Sequence, residues 1–110
     1  MSEMKCYRQG ESIHTDKFPK CQIQFIHGDT MTLFVWAFEE GGFADAHVHP
    51  HEQIIHCKTG TFEVTVGDEV VVLQAGDTVT VPSGVRHSAY ARTAAQGVDV
   101  FHPVREDMRF

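Results

Sequence analysis

The sequence has no apolar stretch long enough to span a bilayer. Its longest uninterrupted apolar run is Leu33 to Phe38, against the roughly 20 residues that a transmembrane helix needs. Its first residues, Met1-Ser2-Glu3-Met4-Lys5, lack the apolar h-region of a secretory signal, which favours a cytoplasmic protein. Positive charge is scarce as well. Nine Lys and Arg stand against fifteen Asp and Glu, a formal net charge of −6. That balance repels phosphate backbones and anionic headgroups, so neither nucleic acid nor membrane is expected as a partner. Cys6, Cys21 and Cys57 are odd in number and form no CxxC pair, so they read as free thiols in a reducing compartment. There is no internal repeat, low-complexity tract or Pro/Ser-rich linker, and residues 1–110 are read as a single domain. What the chain has in excess is histidine: eight in 110 residues. That excess points toward metal.

Glycine punctuates the chain at Gly28, Gly41-Gly42, Gly60, Gly67, Gly76, Gly84 and Gly97. Between these glycines lie short segments rich in β-branched and aromatic residues, which fit strands rather than helices. Met31–Phe38 reads as a strand apolar on both faces. Thr61–Val66 alternates strictly, placing Phe62, Val64 and Val66 inward. Gly67-Asp68 closes a tight turn into Glu69–Leu73, a hairpin. The turn Gln74-Ala75-Gly76-Asp77 leads to Thr78–Val81, which stops at Pro82; Arg86–Ala91 and Gly97–Phe101 complete the set. Strands at this spacing in so short a chain make one small β-barrel.

His47-Val48-His49 is the sharpest local feature, because residues i and i+2 of a strand share a face. Gln53 returns toward that face after the turn at Pro50, and His87 follows the turn Pro82-Ser83-Gly84. Neutral imidazoles converging in a barrel interior suit a divalent first-row metal. Gln53 either gives its amide oxygen as a fourth ligand or hydrogen-bonds a ligand histidine from behind. His51 reads as a rim or surface residue, His56 as outer-face, and His14, His27 and His102 as ordinary polar residues. Asp99 and Phe101 alternate with Gly97 and face the interior, while Arg105 follows Pro103 near the rim. Asp99 is then a candidate acid/base and Arg105 a candidate carboxylate clamp. The competing reading makes Asp99 a turn cap and Arg105 a surface partner of Glu106 or Asp107.

Gly41, His47, His49, Gln53 and Gly60 fit the pattern G-x5-H-x-H-x3-E-x6-G, with Gln53 where Glu is usual. Gly76, Pro82, Gly84, His87 and Ala91 fit G-x5-P-x-G-x2-H-x3-N, with Ala91 in the last place. In residues 41–91 the chain therefore resembles the cupin superfamily. The resemblance implies an all-β fold, the double-stranded β-helix or jelly-roll barrel, with His47, His49 and His87 as metal ligands. A second likeness is carried by His47–Gln53 together with the run Asp99-Val100-Phe101-His102-Pro103-Val104-Arg105-Glu106-Asp107. Both resemble the KdgF-type cupins of pectin and alginate breakdown, which also use Gln in the first motif.

That second likeness implies one divalent transition metal per chain (Zn, Ni, Co, Mn or Fe) on His47, His49, Gln53 and His87. It assigns functional roles to Asp99, Phe101 and Arg105. The implied reaction is the linearisation of 4,5-unsaturated uronate monosaccharides to open-chain keto uronates, small anionic sugars being the substrates. Because the fold hosts many activities, other readings stay open. They are an isomerase or binder of unassigned substrate, an iron-dependent dioxygenase, and a non-enzymatic sensor. Residues 1–25 precede the motifs as an N-terminal arm. With the outward Ile54, that arm points to a homodimer whose copies cover exposed sheet edges.

Overall fold

In Phe62-Glu63-Val64-Thr65-Val66 the residues Phe62 and Val64 are buried and their neighbours are not. This period of two belongs to a strand with one wet face. A computed structural model describes residues 3–110; Met1 and Ser2, where the expected arm begins, lie outside the described residues. The strands are β1 (Cys21–His27), β2 (Thr32–Phe38), β3 (Phe43–His47), β4 (Glu52–Thr59) and β5 (Phe62–Val66). They continue as β6 (Glu69–Leu73), β7 (Thr78–Val81), β8 (His87–Ala91) and β9 (Ala95–His102), and a 3-10 turn follows at Glu106–Met108. One antiparallel sheet has the order β1-β2-β9-β4-β7 and the other β3-β8-β5-β6. Facing each other, they form the jelly-roll barrel.

The core lies between the sheets, and an aromatic pair joins them. Trp36 of β2 stacks on Phe62 of β5 with ring centroids 4.4 Å apart and planes 26° apart. Truncating a buried Phe in such a place costs about 3–5 kcal/mol. The stack depends on Gly97, which pairs with Trp36 across the β2–β9 ladder. A Cβ at residue 97 would collide with the Trp36 ring and the His56 carbonyl. The bare backbone lets the indole lie against β9 and reach Asp99, two residues further on. Gly60 has a comparable duty at the β4–β5 turn: its φ is +84°, and a Cβ there would strike the Ala94 carbonyl.

The expected hairpin at Gly67-Asp68 forms, with Val66 paired to Glu69. The N-terminal region departs from expectation. Cys21–Phe25, read as part of an arm, belong to β1 and pair with β2 from Cys21↔Phe38 to His27↔Thr32. The reason is burial: Cys21 and Ile23 alternate inward onto the core. His14 bridges Ile23 on the other edge of β1. Only residues 3–13 remain unpaired and exposed along their length. Among the described residues no helix is long and apolar enough to cross a membrane.

Candidate metal centre

Three strand ends bring the histidines together. His47 ends β3 and pairs with His87, the first residue of β8, after an irregularity in the ladder between Ala44 and His47. Such irregularities re-aim side chains. His49 follows in the β3–β4 loop, and Gln53 points inward from β4 opposite Phe101 of β9. One potential ligand atom from each of His47, His49 and His87 lies within 4.8 Å of the others.

Hydrogen bonds fix which atoms face the centre. His47 Nδ1 lies 2.5 Å from the Asp45 carbonyl oxygen, His49 Nδ1 lies 3.1 Å from that of His51, and His87 Nδ1 lies 2.8 Å from that of Val85. A carbonyl only accepts, so each Nδ1 carries the proton and each neutral ring presents a lone pair on Nε2. His87 Nε2 is buried without a hydrogen-bond partner. Gln53 is oriented by the same logic. Its amide nitrogen donates to Asp99 Oδ2 at 3.1 Å, which leaves its Oε1 3.1 Å from His49 Nε2. Two lone pairs at that distance repel each other unless a cation sits beside them. Four acceptors therefore converge, and a divalent transition metal fits this set of three imidazoles and one amide oxygen.

Electrostatics agree with neutral rings. Burial above all, then the neighbouring Arg105 and histidine charges, pushes His49 down to about 4. Burial also lowers His87, against the opposing effect of its bond to the Val85 carbonyl. Asp99 lies behind Gln53, accepting from Trp36 Nε1 at 3.0 Å as well. Burial pushes its carboxyl up to about 7, although the Trp36 and Gln53 hydrogen bonds and Arg105 all pull it down.

These groups line one cavity of about 430 Å³ between the sheets, with apolar walls from Phe34, Trp36 and Ile55. The fold and the paired motifs accord with a match of residues 34–101 to the family model described as the cupin domain. The chain belongs to the cupin family. Among solved cupins it resembles the RmlC-like cupin from Shewanella frigidimarina NCIMB 400, at 29% identity and a TM-score of 0.86 over 99% of this chain and 100% of that one. It also resembles KdgF from Halomonas sp., at 27% identity and a TM-score of 0.82 over 90% of this chain and 94% of that one. A curated relative, an uncharacterized protein of Streptomyces coelicolor, is 26% identical over 87 residues, 79% of this chain and 71% of its own length.

Within this cupin the residues singled out from sequence meet at the cavity, with differences of detail. His47, His49, Gln53, His87, Asp99, Phe101 and Arg105 all line it. Arg105, expected at the rim, is buried. Its Nε and Nη2 donate to Asp107 Oδ1 and Oδ2 at 3.0 and 2.8 Å. Both sequence readings of Arg105 thus contain part of the answer: it faces the cavity and it holds Asp107. The Arg105 hydrogen bonds keep the Asp107 carboxyl down at about 2. Phe101 is buried under the guanidinium, 4.6 Å from its ring centroid, and packs on Phe34 at 4.4 Å.

His51 is the clear correction. Instead of standing on a rim it is buried, its ring 5.3 Å from that of His49 and its Nδ1 without a hydrogen-bond partner. The turn at Pro50 breaks strand parity, so alternation carried no signal there. Trp36 and Lys17 were given no role in the cavity from the sequence, and Asp107 was named only as a possible surface partner of Arg105. Trp36 was visible only through its register with Gly97, and Asp107 only through its pairing with Arg105. Lys17 lines the cavity beside Phe18 and Pro19, and its ammonium lies 3.7 Å from the Phe110 ring centroid. Local sequence around it carries no metal or catalytic pattern.

Proposed function

We propose that this cupin holds one divalent transition metal on His47, His49, Gln53 and His87 and opens the ring of 4,5-unsaturated uronate monosaccharides. The observation that carries the reading is the shared hydrogen-bond frame. Gln53 ties the lone-pair cluster to Asp99, and Arg105 faces the same cavity. The likeness to KdgF from Halomonas sp. supports it, at 27% identity over most of both chains. So does the run from Asp99 to Asp107, which the KdgF-type resemblance marks as functional.

When bound, the metal supplies Lewis acidity to substrate oxygens that gain negative charge. The chain's own groups do the rest. Asp99, held by Trp36 and Gln53, takes the proton of the anomeric hydroxyl. The C1–ring oxygen bond breaks as the C1 carbonyl forms, and the ring oxygen leaves as the enol oxygen on C5. Asp99 returns the proton to C4, the enol becomes a ketone, and the sugar's composition is unchanged. A guanidinium has five N–H donors and Asp107 engages two of those on Arg105. The others are available to the substrate carboxylate, with Phe101 setting the plane of the fork. Arg105 and Lys17 give an anionic sugar a local attraction that the net charge of −6 does not.

The test is metal-loaded protein mixed with an unsaturated uronate, followed by the ultraviolet absorbance of the conjugated double bond. The absorbance decays as the ketone forms. Fully metallated protein that leaves it unchanged refutes the reading.

A further inference from the structure

Among the described residues, the carboxylate and cationic side chains at the cavity are Lys17, Asp45, Asp99, Arg105 and Asp107. All but one are committed to a partner or screened. Arg105 and Asp107 are joined side by side through two hydrogen bonds, so their charges cancel beyond contact range. The Arg105 hydrogen bonds hold the Asp107 carboxyl down at about 2, so the pair stays ionised and the cancellation persists at ordinary pH. Asp99 is turned toward Trp36 and Gln53, which donate to its two oxygens. Asp45 stands exposed, where water and salt screen it. Lys17 is the exception.

The Lys17 side chain is 26% exposed, so most of it is held by the protein. Its ammonium lies 3.9 Å from Asp16 Oδ1, beyond hydrogen-bond distance, and the Asp16 side chain is 78% exposed. A pair so exposed and so loose contributes little. What seats the ammonium is the face of Phe110, whose ring centroid is 3.7 Å away. A ring face attracts a cation without neutralising it, and the remaining N–H donors stay free for a ligand. Phe110 is held by other rings: it packs on His14 at 5.6 Å and on Phe25 at 5.2 Å. Phe25 meets Phe34 edge-on at 4.8 Å, and Phe34 packs on Phe101 beneath Arg105. One aromatic series thus runs from the Lys17 ammonium to the Arg105 guanidinium and fixes two unlike cations at one cavity.

We propose that Lys17 is the specificity-determining residue that selects anionic sugars for this cavity, that Phe110 positions it, and that the Arg105–Asp107 pair orients the carboxylate without setting the charge preference. The sugar class rests on the uronate reading above. The two cations differ in what they recognise. A planar fork with one edge already filled by Asp107 recognises the shape of a carboxylate. A compact ammonium with free donors recognises charge, from whichever direction an oxygen arrives. A neutral hexose entering the same cavity gains no ion pair from Lys17. Since the chain as a whole carries −6, one uncancelled positive charge at the cavity decides whether an anion gains by entering.

Metal-loaded protein is titrated calorimetrically with glucuronate and, as its neutral counterpart, glucose, and turnover of an unsaturated uronate is followed in parallel. The wild type prefers glucuronate, and added salt weakens that binding. Lys17→Met and Lys17→Gln, with unchanged metal content, lose about tenfold of the preference together with most of its salt dependence. Either variant suffices if the other fails to fold. KM for the unsaturated uronate rises by the same factor at nearly constant kcat, and Lys17→Arg keeps both preference and KM, as a structural lesion would not. Phe110→Leu keeps the bulk but not the ring face and loses about threefold of the preference. Neutral Lys17 variants with wild-type preference and KM overturn the assignment while ring opening stands. Glucuronate binding that depends on Lys17, without decay of the ultraviolet absorbance, refutes ring opening and upholds the assignment. A wild type that binds glucuronate no better than glucose overturns the assignment whatever its turnover. Phe110→Leu indistinguishable from wild type overturns the positioning role of Phe110.

Discussion

His27 and the three histidines of the candidate centre share a side chain but have opposite proton placements. In His47, His49 and His87 a backbone carbonyl fixes the proton on Nδ1, and Nε2 is left as a lone pair. In His27, Nε2 lies 3.0 Å from the Met108 carbonyl oxygen and must donate to it. Nδ1 then accepts from the Thr32 hydroxyl at 2.9 Å. Both nitrogens are satisfied, so His27 is a structural tie with nothing to offer a cation. What marks a histidine as a candidate ligand here is thus not burial. It is a carbonyl two residues away in sequence, which claims one nitrogen and leaves the other unmatched.

The largest effect that tests this contrast is loss of the centre itself. His49→Ala with His87→Ala removes two of the four converging lone pairs. The protein is expected to stay folded and to lose its stoichiometric metal by elemental analysis. Retained metal in that double variant would place the site elsewhere. Next in size is Asp99→Asn, whose Oδ1 can still accept from Gln53 Nε2 and so keep Gln53 Oε1 toward the centre and the metal bound. Its amide nitrogen then faces the Trp36 N–H in place of an acceptor. Proton transfer by a positioned carboxyl is worth typically 10²–10⁴-fold, and turnover of an unsaturated uronate falls by about that factor. A fully active Asp99→Asn moves the proton-transfer role to another group without disturbing the ligand set.

His51 lies between the two classes. It is buried against His49, yet the atom His49 uses is its backbone carbonyl, which survives any substitution. His51→Ala therefore keeps the site's stoichiometry and loosens the packing that orients His49. Metal affinity drops about tenfold in competition with a chelator. Complete loss of metal would make His51 a ligand, and unchanged affinity would show that its ring orients nothing.

These differences mark what the sequence could carry. The candidate ligand set was legible because the motif glycines and Pro82 fix where the strands turn, and that spacing delivers the imidazoles to one point. β5 was legible because one of its faces is wet, so alternation survives in the letters, whereas β2 was legible as an unbroken run of apolar and aromatic residues. β1 was read as part of an arm although Cys21-Gln22-Ile23-Gln24-Phe25 alternates apolar and polar; the segment precedes the motif glycines, so nothing in its spacing tied it to the barrel. Proton placement was invisible, since the carbonyls that decide it belong to backbone and could sit beneath any residue. The Arg105–Asp107 pair was foreseen as the plain alternative to a cavity role. Its burial depends on the chain folding back after β9, which no local pattern encodes.

The smallest effect is expected at His27, and it reaches the cavity through the backbone. The Thr32 hydroxyl that donates to His27 Nδ1 accepts the Arg105 backbone N–H at 2.9 Å. His27 Nε2 holds the Met108 carbonyl in the 3-10 turn that follows. The chain Arg105 N–H to Thr32 hydroxyl to His27 ring thus anchors the segment carrying Arg105 to the β1–β2 hairpin. His27→Ala removes two hydrogen bonds worth about 1 kcal/mol each, so stability falls by about 2 kcal/mol in a denaturant titration. Metal content is unchanged, because no converging lone pair is lost. Arg105 keeps its Asp107 and Phe101 contacts but loses its anchor, so KM for the uronate rises several-fold while kcat changes little. A His27→Ala variant that lost its metal would break the division between the two kinds of histidine. One that lost stability with KM untouched would confine His27 to the fold and detach it from the clamp.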